Sequence, residues 1–132
     1  MRVSLKAVMF GAALLAATVV PVLAHHSAAM FDDKKTVTLT GTVKQFQYTN
    51  PHSWLLVDVK GKDGKVTTWG FEAEGPSTLR RAGIRPSDFA FGTPVEITGN
   101  PMRDGRPAAA WLKAIRLTDK KEFNPLSGFA VK

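Results

Sequence analysis

The chain has no cysteine among its 132 residues. That excludes a disulfide framework, a thiolate metal site, a cysteine nucleophile and a cysteine-linked lipid anchor. Acidic residues are also few, 11 against 18 lysines and arginines. Histidine is scarcer still: His25, His26 and His52 are all there is, so any imidazole chemistry rests on those three. No glycine-rich phosphate loop, no internal repeat and no defensible Ser-His-Asp arrangement is present.

One long uncharged apolar run exists, from Ala7 to Val20. It follows Arg2 and Lys6 and precedes Val22-Leu23-Ala24, which sets small residues at the −3 and −1 positions of a cleavage site. The run falls short of the ~20 apolar residues that a membrane span needs. Residues 1–24 therefore read as a cleaved signal peptide, in preference to an uncleaved anchor. Export without a disulfide fits a bacterial periplasm or exterior, where one core must hold the fold unaided. The leader takes two of the 18 basic residues and none of the 11 acidic ones, so the mature chain from His25 carries +5. A basic exported domain of this size is expected to be a monomer with some attraction for an anionic glycan, a lipid headgroup or an acidic protein. Nucleic acid is a poor partner for it. The plainer reading of the charge is a generally basic surface with no dedicated partner.

The organising stretch is Gly41 to Lys60. Val37, Leu39 and Val43 alternate with polar residues before Asn50-Pro51, and Leu55, Val57 and Val59 alternate after it. That is the period of two expected for half-buried strands meeting at a turn, which Pro51 suits because it offers no N–H to a ladder. Gly41, inside the first strand, marks a bulge or bend. Gly61-Lys62-Asp63-Gly64 is a second hairpin turn, and Val66 to Ala73 the third strand. Gly75 to Gly83 reads as a short helix with Leu79 and Ala82 on one face, and Arg80 and Arg81 suit its C-terminal dipole, a reading preferred at this point to an anion site. Phe89 and Phe91 in the following connection are expected to plug the core. Val95 to Gly99 and Ala109 to Thr118 complete five strands, the last with some helical character.

This order predicts a mainly β, five-stranded OB-like antiparallel barrel over residues 37–118, with one short helix between strands 3 and 4. It follows a lead-in at 25–36 and precedes a C-terminal tail at 119–132, ordered only in part. An open antiparallel sheet is the alternative. Several of these segments also carry a resemblance: Ala24-His25-His26-Ser27, the strand Val37 to Val43, Thr49-Asn50-Pro51-His52 with Trp54, and Leu79-Arg80-Arg81-Ala82-Gly83. Together they resemble a family of small exported bacterial proteins known only as a domain of unknown function. The resemblance spans nearly the whole mature chain. It implies export and a small β-rich domain, and no activity.

The sharpest chemical lead is copper. Cleavage after Ala24 would leave His25 as the N-terminal residue, whose amine and imidazole chelate one metal ion together, with His26 and His52 as further imidazoles. This resembles, locally, the histidine brace of other exported copper proteins. Met30, and more distantly Met102, offer soft ligands for copper(I). About twelve residues separate His25 from the first strand, enough at ~3.3 Å each to reach the hairpin tip. Against this, an exposed His-His pair binds copper weakly in any protein, and His52 has an ordinary role open to it as a partner of the turn. The competing reading is a metal-free binding face made by Tyr48, Asn50 and Trp54 at the hairpin tip, taking a glycan or a partner protein. Glu72 and Glu74 sit close enough for acid–base work, but carboxylates this close are also common at strand ends. The expectation is a non-enzymatic binding or accessory protein.

Overall fold

The computed structural model describes residues 29–129. Its strands are β1 (Val37–Gln47), β2 (His52–Lys60), β3 (Val66–Glu74), β4 (Pro94–Pro101), β5 (Ala108–Arg116) and β6 (Lys121–Phe123). An α-helix, α1 (Pro76–Arg81), follows β3, and 3-10 helices cover Pro86–Phe89 and Pro125–Phe129. The sheet runs β3-β2-β1-β4-β5-β6, and β3 also pairs with β5. That last pairing closes a five-stranded OB-like barrel, as expected. Its seam is parallel, joining Gly70, Phe71 and Glu72 to Ala108, Ala109 and Ala110, whereas every other pairing is antiparallel.

Closure follows from strand bending. β1 pairs with β2 on one side and β4 on the other, and its ladder with β2 shifts register between Val43 and Gln45. The bulge thus lies beyond Gly41. Gly41 is needed instead for close approach, since a Cβ there would run into the Asp58 carbonyl. The β2–β3 hairpin turns where expected, Gly64 taking a φ of +80° that an L side chain resists.

Inward-facing residues alternate as the sequence requires: Val43, Leu55, Val57, Phe71, Val95, Ile97, Ala109, Trp111 and Ala114 are all buried. Leu79, Ile84, Phe89 and Phe123 add to this core from the connections and from β6. Phe46, Phe89 and Trp111 meet edge-to-face, with centroids 5.3 to 6.0 Å apart. Each such ring contributes roughly 1.5–3 kcal/mol by leaving water.

Three segments depart from the sequence expectation. Phe91 does not plug the core; it is 85% exposed, while Phe89 is 1% exposed. The reason is a tight turn: Thr93 donates to the Ala90 carbonyl and Gly92 to that of Val43, which turns the Phe91 ring outward. The region after 118 is more than a tail, since β6 extends the sheet and Pro125 and Gly128 are buried. Arg81 fastens it by donating to the Gly128 carbonyl at 3.1 Å. In the lead-in, Phe31 is buried and bridges Met102. No helix among the described residues is long and apolar enough to cross a membrane.

Candidate functional site

The β2–β3 register sets His52 opposite Glu74 and Trp54 opposite Glu72. Alternation turns all four outward, away from Leu55 and Phe71. On this outer wall the Nδ1 of His52 pairs diagonally with Oε1 of Glu72. Glu72 is only 8% exposed at its side chain, His52 32%. With the Nδ1 proton donated to the carboxylate, Nε2 carries the open lone pair.

The turn that presents His52 is fastened at several points. Thr49 Oγ1 donates to the His52 carbonyl at 3.0 Å. The Ser53 hydroxyl accepts from the Thr49 amide at 3.2 Å and donates to its carbonyl at 3.3 Å. The Asn50–Pro51 peptide is cis. Asn50 is exposed, its side chain lying over Gly75, where an added Cβ would come within 2.5 Å of Oδ1.

His52, Glu72 and Glu74 form the polar rim of a cleft of about 470 Å³. Its other walls come from Phe31, from Asn100 on β4, from Ala110 to Leu112 on β5, and from Pro125 and Leu126. The volume lies within the range of small-ligand pockets. Asn100 is held by donating to the Lys35 carbonyl at 2.7 Å. The Trp111 indole N–H is buried without a hydrogen-bond partner among the described residues. Among the described residues no serine, threonine, cysteine or lysine lines this cleft.

The sequence candidates divide sharply. His25 and His26 lie outside the described residues. His52 stands on the cleft, and so do Glu72 and Glu74. Met30 and Met102 do not line it; Met102 is buried against Phe31. Among the described residues no group of three His, Asp or Glu side chains is gathered as a metal site. Tyr48, Asn50 and Trp54 form no common face. Tyr48 is half-buried on the inner side, packs on Phe46 with centroids 5.3 Å apart, and its hydroxyl lies 3.0 Å from both the Pro76 and Ile84 carbonyls, which share its single O–H proton. Trp54 is half-buried on the outer side, its ring lying across Gly70.

The register that brings Glu72 beside His52 follows from Lys60 pairing with Val66 across a five-residue connection, Gly61 to Lys65; a two-residue Asp63-Gly64 turn would instead set 52 opposite 75. Phe31, Asn100 and Leu126 carried no signal in the sequence, because they join the cleft only through barrel closure.

Residues 12–110 match the profile of a family of unknown function, DUF6152. The chain belongs to that family. The DUF6152 match takes in β1 through β4, α1 and the first part of β5, and with them His52, Glu72, Glu74 and Asn100. Leu112, Pro125 and Leu126, on the far wall of the cleft, lie beyond its end. No curated protein and no solved structure matches the chain.

Proposed function

We propose that this DUF6152 protein is an exported, non-enzymatic binding protein of the bacterial periplasm or exterior, and that it holds copper at the cleft rim. His52 Nε2 is one ligand. The amine and imidazole of a mature N-terminal His25 are the others, with His26 beside them. The observation that supports this reading is the Glu72–His52 pair. A carboxylate on Nδ1 is the usual outer partner of a metal-binding imidazole, fixing its tautomer and raising the basicity of the other nitrogen. Phe31, six positions after His25 in the chain, lines the same cleft as His52.

The test is a copper(II) titration of protein with an authentic His25 start, beside a copy carrying one extra N-terminal alanine. Tight one-to-one binding is expected for the first. It should be lost in the second, weakened in His52→Ala, and weakened about 10- to 100-fold in Glu72→Gln. Binding should also fall with decreasing pH, because protons compete for imidazole and amine. Equal binding by both N-termini would end the reading. A metal-free face for a glycan or partner protein is the lesser reading, since Tyr48 and Trp54 serve opposite sides of the barrel wall. What it retains is Trp54, and it requires a contact that survives the added alanine and fails in Trp54→Ala.

A further inference from the structure

A second concavity, of about 390 Å³, lies between α1 and the Pro86–Phe89 turn, lined by Tyr48, Arg80, Arg85, Pro86 and Ser87. The two neighbouring arginines of α1 have separate fates. Arg81 is fully engaged, donating to Gly128, Ser77 and Thr78. Arg80 is exposed and lines the concavity, and neither it nor Arg85 is in an ion pair among the described residues. The nearby carboxylate, Asp88, is already held: it accepts from the Arg85 amide at 2.8 Å and from Arg116 at 3.2 Å. Among the described residues no acidic side chain lines the concavity itself.

Arg80 and Arg85 both line this concavity, and their forked donors match carboxylate and phosphate oxygens. The wall is built in advance. The Tyr48 hydroxyl ties the Pro76 carbonyl, at the start of α1, to the Ile84 carbonyl beyond its end, leaving the ring and Pro86 as apolar surface. We infer that this concavity binds a small acidic sugar. Its carboxylate or phosphate sits between Arg80 and Arg85, and its ring rests against Tyr48 and Pro86. The site is separate from the His52 cleft and stands or falls independently of copper.

The experiment is an amide chemical-shift titration of the described domain's parent chain with glucuronate, glucose 6-phosphate, inorganic phosphate and neutral glucose. The two sugar acids are expected to shift Tyr48, Arg80, Arg85 and Ser87 and to bind more tightly than inorganic phosphate; glucose should give no shifts there. The double variant Arg80→Gln/Arg85→Gln should bind at least about tenfold more weakly, which is ~1.4 kcal/mol. The control Lys62→Gln/Lys65→Gln, which removes two exposed cations on the β2–β3 turn, should leave binding intact. Binding should weaken with salt, since both guanidiniums face solvent. Equal losses in the two double variants would overturn the inference, as would glucose matching glucuronate. So would Arg80- and Arg85-dependent capture on phosphatidylglycerol vesicles with no response to sugar acids, which assigns the patch to a membrane surface.

Discussion

Tyr48 and Trp54 stand six positions apart across one turn, yet one is held inside the barrel mouth and the other lies on the outer wall. On the incoming side, Phe46 and Tyr48 join the ring cluster, and the Tyr48 hydroxyl clamps two carbonyls of the α1 region. On the outgoing side, His52 and Trp54 project from the opposite face of the sheet, over Glu72 and Gly70. Clustering in sequence therefore did not produce a common face. The incoming side mainly holds the fold, with Tyr48 also lining the second concavity, and the outgoing side carries His52 to the rim of the first cleft.

The strongest break in this comparison is on the architectural side. Phe89→Ala should cost about 3–5 kcal/mol, because it empties the centre of the edge-to-face cluster. Phe91→Ala, two residues on, should stay within about 0.5 kcal/mol, because its ring already faces water. Paired urea melts read the difference; similar costs would mean that Phe91 is buried after all.

Next, Tyr48→Phe should lose about 1 kcal/mol, removing the hydroxyl from two carbonyls while keeping the ring. Copper binding should be unchanged. Trp54→Ala should likewise leave copper affinity alone. A Tyr48→Phe variant that kept full stability and lost copper would reverse the assignment of sides.

The smallest effect is electrostatic. Hydrogen bonds from Arg116 are the main cause that lowers the Asp119 carboxyl from 3.8 to about 2. A folded value below the unfolded one means the stabilisation is present above pH ~4 and disappears as pH falls towards ~2. The pair lies at the surface, so the loss should be slight. Asp119→Asn should flatten that part of the stability–pH curve without touching either concavity.

The barrel was legible in the sequence because alternation in β1 to β3, and again at Val95 and Ile97, is the pattern of a sheet with one face in a core. The Asp63-Gly64 signal marked the β2–β3 hairpin. β6 and Phe31 were not legible, since an isolated apolar residue in a polar stretch has no period to read. Phe91 misled because hydrophobicity alone does not reveal a tight turn. His52 was visible as chemistry, but its carboxylate partner was not, because the register depends on the length of the connection from Gly61 to Lys65. Nor was the far wall of the cleft, because Asn100, Leu112 and Leu126 reach it only when β3 pairs with β5 and the chain after β6 folds back.

The central claim is that Glu72 fixes His52 with Nδ1 protonated and Nε2 open to the cleft. Long-range nitrogen–proton NMR of the His52 ring, at a pH where the imidazole is neutral, reads the tautomer directly. The account predicts the Nδ1–H form in the native chain, and mixed tautomers in Glu72→Ala. A native His52 protonated at Nε2 would contradict it, leaving that nitrogen unable to take a metal.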